Sequence, residues 1–391
     1  MDKRMGMIMI MLATIFLGFG IIIPVLPEMI IGSGADRFHL YVMLAAYSAA
    51  SFALSPLWGA LSDRIGRKPV LLIGALGFSL SFLMFGLSGG NLILMYLSRV
   101  LGGVFSGATT ACAVAYVADI TTEDKRTRAM GLVGMSIGLG FIFGPAIGGL
   151  LSLWGYETPF FAAAGLSLLN FLFAAGALKE SLTAERRAEA AGKPRTSRWS
   201  AFRGTIAYLF ALLFVLTFAL AGLESTLQYY QIERFRATPT EMGVMFLVSG
   251  VVGALVQGGF IRRYALPGTE PRLIRIGLTV QAVGFVLLLF SSNVWNAALF
   301  LSVFSVGNAL LRPCVTSLIT QTTKAGQGVT GGLSSSMDSL GRIAGPLVAG
   351  GLFELETALP FISGAAISLA AILLLHRFLA KRGTLVPAAE T

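Results

Sequence analysis

Twelve separate stretches of this sequence are long and apolar enough to cross a lipid bilayer, and that repetition excludes almost every soluble fold. A helix needs about 20 mainly apolar residues to span a hydrocarbon core about 30 Å thick. The stretches are 5–26, 41–62, 70–88, 91–118, 128–153, 158–178, 204–230, 240–261, 271–291, 294–317, 327–353 and 357–379. The expected fold class is therefore an all-α membrane protein with twelve transmembrane helices, because helices satisfy their own backbone groups in lipid. Composition agrees: 12% of residues are charged, against about 25% in soluble domains. The first run is too long for the apolar core of a cleavable signal, about 7–15 residues, and reads as a retained first helix.

Loop charges give an orientation. With the N-terminus inside, 23 of the 29 Lys and Arg fall on the cytoplasmic side. Only Arg37, Arg234 and Arg236 fall outside, and Arg99, Arg312 and Arg342 lie within spans. This is the asymmetry of the positive-inside rule, and it places both termini in the cytoplasm of a multi-pass protein of the cell membrane. The net charge of +10 thus marks orientation; no basic stripe or nucleic-acid motif accompanies it, so no nucleic acid is expected as a partner. The longest polar stretch, 179–203, reads as a cytoplasmic linker between two six-helix halves, 1–178 and 204–391. "FIFGPAIGGLL" at 141–151 resembles "RIAGPLVAGGLF" at 342–353, and "WGALSDRIGRK" has a degenerate counterpart in "GGFIRRY", each about 200 residues on. Such repeats make the halves pseudo-symmetric, a known plan for transporters.

The loop after the second span reads Gly59-Ala60-Leu61-Ser62-Asp63-Arg64-Ile65-Gly66-Arg67-Lys68. Gly66 permits a sharp turn, and Gly59 is expected to let helices approach closely. The segment resembles the signature loop of the major facilitator superfamily, G-x-L-[AS]-D-[RK]-x-G-[RK]-[RK]. The resemblance implies that Asp63 and Arg67 join an acid at the end of span four, matched by Asp119. Gly59, Asp63, Arg64, Gly66, Arg67 and Asp119 would then form a latch that holds one conformation and breaks in another. The alternative is an ordinary basic loop.

Span four carries Arg99 in "LSRVLGGVFSGA", similar to the R-x-x-x-G segment of the same family. A buried arginine faces a cavity or a partner; here it serves either a fixed interhelical ion pair or, as the resemblance implies, a proton-carrying acid. Span five holds Gly140, Gly144, Pro145, Gly148 and Gly149 in the spacing G-x-x-x-G-P-x-x-G-G, which resembles the antiporter motif of exporters in the superfamily. Span one ends "LGFGIIIPVLPEM", similar to the pattern of twelve-span drug:proton antiporters. By these motifs the chain resembles the NorA-like and Bmr-like multidrug exporters of bacteria, whose span-seven acid is matched by Glu224. Where some relatives carry an acid in span ten, this chain has Asn308 and Arg312.

Three acids lie in or near spans away from the cytoplasmic face: Glu28, Glu224 and Asp338. Asp338 and Arg342, four apart on one helix, can neutralise each other. Glu28 falls at a hydrated helix end. Glu224 has no base within four residues and reads as a lone carboxylate able to hold a proton or exchange it for a cation. Glu224, Asp338 and Arg99 are thus the candidates for proton coupling. The 28 Phe and 14 Met suit flat, bulky ligands. Candidate substrate contacts are Phe16, Tyr47, Glu224, Gln228, Phe304, Asn308 and Arg312. Cys112 and Cys314 read as reduced packing residues, and the spacing of Cys and His suggests no metal site. No cofactor is expected, and no phosphate-binding loop supports ATP-driven transport.

The reading is export of amphipathic, often cationic, compounds in exchange for protons, by a monomer in the bilayer. Export of one metabolite, such as a sugar or amino-acid derivative, and a non-transporting membrane sensor are the alternatives. An enzyme is not expected, since no nucleophile–base pair appears.

Overall fold

The protein is described from a computed structural model, which describes residues 3–182, 202, 204–261, 263, 268–323 and 327–383. Most of the expected linker, parts of "GGFIRRY" and residues 384–391 lie outside the described residues. The described residues are helical, with no strand. In chain order the helices are α1 Lys3–Ile22, α2 Leu26–Gly32, α3 Phe38–Ile65, α4 Arg67–Gly86, α5 Leu92–Ile120, α6 Glu123–Leu151 and α7 Thr158–Ala177. Then follow α8 Ala207–Phe235, α9 Pro239–Leu255, α10 Glu270–Leu289, α11 Val294–Thr322, α12 Gln327–Leu355 and α13 Leu359–Gly383.

Eleven of these segments are long and apolar enough to cross a membrane. The twelfth span is α12: it has 29 residues, and Ser, Gly, Asp338 and Arg342 interrupt its apolar run. The all-α, twelve-span fold class holds. Span one is shorter than expected. A turn at 23–25, where Pro24 withholds an amide proton, separates α1 from the short α2. Span eight leaves the α-helical path at its end, where Val256–Ile261 form a π-helical turn.

The helices group into two compact units. One comprises Met1–Pro194 with Ala237–Leu247; the other comprises Arg195–Arg236 with Val248–Thr391. In the first unit α1 packs on α6, α4 on α5 and on α7, and α3 on α5. The second unit repeats most of this scheme: α8 packs on α12, and α10 on α11 and on α13. Each unit has its own apolar core. Met5, Ile8, Leu12, Val70, Leu71, Tyr116 and Val117 belong to one; Leu209, Phe210, Leu213, Ile274, Leu311, Leu318 and Phe378 belong to the other. Leu97, Leu169, Phe173, Phe290, Leu299 and Leu373 point outward. Outward leucine and phenylalanine along a spanning helix suit contact with lipid tails.

The repeat is visible in close packing. Gly140 and Gly144 lie on α6 and Gly341 and Gly345 on α12, with Pro145 and Pro346 following; each partner is 201 positions on. A Cβ on Gly144 would sit 2.7 Å from the Leu17 carbonyl oxygen and 2.8 Å from the Gly20 Cα of α1. A Cβ on Gly345 would sit 2.5 Å from the Phe218 carbonyl oxygen of α8. Neither site has room for a side chain, so the glycines set the distance between paired helices.

Candidate functional sites within the two units

In the first unit, the turn between α3 and α4 places the latch candidates. Gly66 joins the helices at φ 106°, a backbone angle that side-chain-bearing residues rarely adopt. The turn points the Arg67 guanidinium at two acids. Its Nη1 is 2.7 Å from Asp63 Oδ1, and its Nε is 3.1 Å from Asp119 Oδ2 at the end of α5. Nη1 also donates to Ser62 Oγ at 2.5 Å. Asp119 is 16% exposed and Asp63 45%, so water screens the Asp63 contact far more. Arg64 is exposed and stands apart from this network. Gly59 does not serve a close approach: a Cβ there meets nothing within 4 Å. The expectation fails because this stretch of α3 turns that position away from its neighbours.

The network around Arg67 includes residues assigned from the sequence to the cytoplasmic linker. Glu180 accepts from the backbone N–H groups of Arg67 and Lys68, at 2.8 and 3.1 Å, and so caps the start of α4. A carboxylate there satisfies orphan donors and meets the positive end of the helix dipole. Ser181 Oγ donates to Asp119 Oδ2 at 3.1 Å, and the Tyr116 hydroxyl donates to the Lys179 carbonyl at 2.5 Å. Residues 179–182 thus belong structurally to the first unit.

The antiporter-motif glycines lie against α1 and the start of α9. Gly140 and Gly144 face Leu17, Gly148 faces the Ile21 carbonyl, and Gly149 faces Pro239. The Gly149 carbonyl also accepts from Thr240 Oγ1 at 2.7 Å. The same α1–α6 seam carries an aromatic row. Phe16 and Phe141 have ring centroids 5.3 Å apart, Phe141 and Phe19 5.5 Å, and Phe19 and Tyr47 5.4 Å. Two of the substrate candidates, Phe16 and Tyr47, are therefore linked in one half-buried to buried row through residues the sequence reading did not single out.

Arg99 is 2% exposed. Its guanidinium carbon lies 4.5 Å from the Phe85 ring centroid and 5.4 Å from that of Phe82. Phe85 is stacked in turn on Phe160 at 4.3 Å. Its Nε and Nη2 have no hydrogen-bond partner among the described residues, and no ion pair meets it there. Aromatic faces take the place that a carboxylate holds in a fixed ion pair.

The second unit holds two cross-helix charge pairs. Arg342 Nη1 on α12 lies 3.9 Å from Glu224 Oε2 on α8. Asp338, one turn earlier on α12, pairs with Arg312 Nη2 on α11 and accepts from Thr217 Oγ1 of α8 at 2.7 Å. Two expectations are corrected. Asp338 and Arg342 pair with other helices rather than with each other, and Glu224 is not a lone carboxylate. Local spacing found the i, i+4 neighbours; tertiary packing supplied better-placed partners on adjoining helices. The Glu224 contact is long for an ion pair.

Of the remaining candidates, Gln228 is buried and donates through Nε2 to the Glu224 carbonyl at 2.8 Å, leaving its Oε1 without a partner among the described residues. Asn308 is half-buried. Phe304 is 1% exposed and packed edge-on against Phe285, centroids 5.0 Å apart, so it offers no open face to a substrate. The sequence could not separate it from lining residues, since both kinds are apolar and aromatic. Glu28 lies on α2 and is half-buried rather than freely hydrated; burial pushes its carboxyl above the ordinary value. Cys112 and Cys314 are buried and free. Among the described residues no group of acids, His and Cys could hold a metal.

Comparison with known proteins matches residues 8–274 to the family model of the Major Facilitator Superfamily. The chain is 32% identical over 375 residues to multidrug resistance protein 2 of Bacillus subtilis, covering 92% of each chain. It is 29% identical over 377 residues to the quinolone resistance protein NorA of Staphylococcus aureus, covering 96% of each. Among solved structures, the human organic anion transporter MFSD10 aligns at TM-score 0.71 and 26% identity, over 95% of this chain and 98% of that one. A peptide transporter in complex with alafosfalin aligns at TM-score 0.80 and 15% identity, over 99% and 96%, and speaks to fold alone.

Proposed function

Since the chain belongs to the Major Facilitator Superfamily and is a multi-pass membrane transporter rather than an enzyme, we propose that it exports amphipathic, often cationic, compounds in exchange for protons. The observation that carries the coupling is Glu224: a carboxylate inside a spanning helix, held among the described residues by a long contact to Arg342. An intramembrane acid that is loosely paired can give up its charge to a proton or its partner to a cation. Protonation of Glu224 releases Arg342; ionisation offers a cation a counter-charge in a low-dielectric surrounding. Proton and substrate then compete for one group, which is the minimum an antiporter needs.

The other parts take separate roles, each within its own unit. The aromatic row from Phe16 to Tyr47 supplies flat apolar contact. Gln228 and Asn308 supply polar contacts. The Arg67 network with Asp63 and Asp119 holds one conformation, and its breakage belongs to alternating access. The N- and C-termini face the cytoplasm, as loop charge requires, and the monomer is the working unit. The names of the relatives support drug export over a narrow metabolite role, and a latch favours a cycling protein over a sensor.

The test is accumulation of ethidium in bacterial cells lacking their own exporters, with and without this protein. Expression should lower accumulation several-fold, and an uncoupler should restore it. Equal accumulation with and without the protein would contradict the proposal.

A further inference from the structure

Within this reading of the second unit, we infer that Arg312 is a carboxylate-recognition site, and that Asp338 occupies it in the absence of substrate. The substrate class this adds is amphipathic compounds with a free carboxylate, zwitterions above all. Arg312 stands on α11, a spanning helix, yet its side chain is 49% exposed while Asp338 is 20% exposed. A half-exposed guanidinium inside a span is tolerated only against a water-filled cavity, not against lipid. Of its nitrogens, the hydrogen bonding among the described residues engages Nη2, with Asp338. A guanidinium carries five N–H donors in a planar fork suited to carboxylates. The fork is therefore only partly used by Asp338.

Asp338 is built to let go. It keeps a second donor, Thr217 Oγ1 at 2.7 Å on Oδ1, so losing Arg312 does not strip it of hydrogen bonds. Arg342 stands one turn further on α12 with Glu224 as its own acid. A substrate carboxylate thus replaces an internal one like for like at the Arg312 guanidinium. A cation lacking a carboxylate makes no such exchange. The Arg312 site adds recognition of an anionic group to a pump whose Glu224 attracts cations.

The experiment compares binding of rhodamine B, a flat cationic dye with a free carboxylate, and its ethyl ester to the purified full chain in nanodiscs. The readout is the ratio of acid to ester affinity. Arg312→Gln should shift that ratio at least tenfold against the acid, about 1.4 kcal/mol. Asp338→Asn, which removes the internal competitor, should shift it several-fold towards the acid. Arg312→Lys should fall between wild type and Gln, and it carries the test if the Gln variant fails to fold. An unchanged ratio in the Arg312 and Asp338 variants, with wild type binding both dyes, overturns the inference and leaves the export reading standing. A wild-type protein that binds neither dye overturns both.

Discussion

Arg342 reaches Glu224 across two helices, Nη1 to Oε2 at 3.9 Å, and not Asp338 one turn away on its own helix. The 201-residue register places Arg342 where the first unit has Phe141, whose ring faces Phe16 and Phe19. One repeat carries an aromatic contact between its paired helices; the other carries a charge pair. The two units have divided apolar contact and charge between them while keeping the same glycine seam.

The Arg67 network should respond unequally to the loss of its two acids. Asp119 is well shielded and Asp63 is not. Removing one partner of a shielded pair costs more than removing an exposed one, whose worth is about 0–1 kcal/mol. Asp119→Asn should lower the melting temperature more than Asp63→Asn in detergent, while both cut transport at least tenfold at normal expression. Full efflux by both variants would reduce the loop to a topology signal.

The glycine seam should resist any added carbon. Gly144→Ala puts a methyl group within 3 Å of the α1 backbone, which cannot yield as a side-chain tip does. Overpacking costs about 1–3 kcal/mol. Gly144→Ala and Gly345→Ala should each lower the melting temperature by several degrees, whereas Gly59→Ala, where a Cβ meets open space, should not. Equal melting temperatures for all three would contradict the packing.

Arg99 should not tolerate its nominal equivalent. Lysine keeps the charge but loses the planar face that lies on Phe85. A stacked cation contributes about 0.5–2 kcal/mol. Arg99→Lys should therefore destabilise the protein about as much as Phe85→Leu, with little further loss in the double variant. Additive losses in a double-mutant cycle would separate the two residues.

The spans and the closely packed glycines were legible because they are local: runs of about 20 apolar residues and small residues at fixed spacing need no knowledge of tertiary contacts. The break after Ile22 was foreshadowed by Pro24 and Pro27, but its effect on span length was not. Partnerships were less legible. Glu180 caps α4 across 113 residues, and nothing in "KESL" announces it. Thr217 and Arg312 meet Asp338 through helix packing, and Arg342 finds Glu224 the same way. Sequence spacing reports neighbours on one helix; a polar residue in a bundle answers to whichever helix faces it.

Central to this account is Glu224 as the group for which proton and cation compete, and drug-induced proton release in proteoliposomes tests it most directly. With an imposed pH gradient, wild-type protein should exchange tetraphenylphosphonium for protons, and the rate should fall at least tenfold in Glu224→Gln, which holds the neutral form. Arg342→Gln, which frees the carboxylate from its base, should still couple, with an altered pH dependence. Proton-coupled tetraphenylphosphonium exchange at the wild-type rate by Glu224→Gln would contradict the account and move the proton to Asp338.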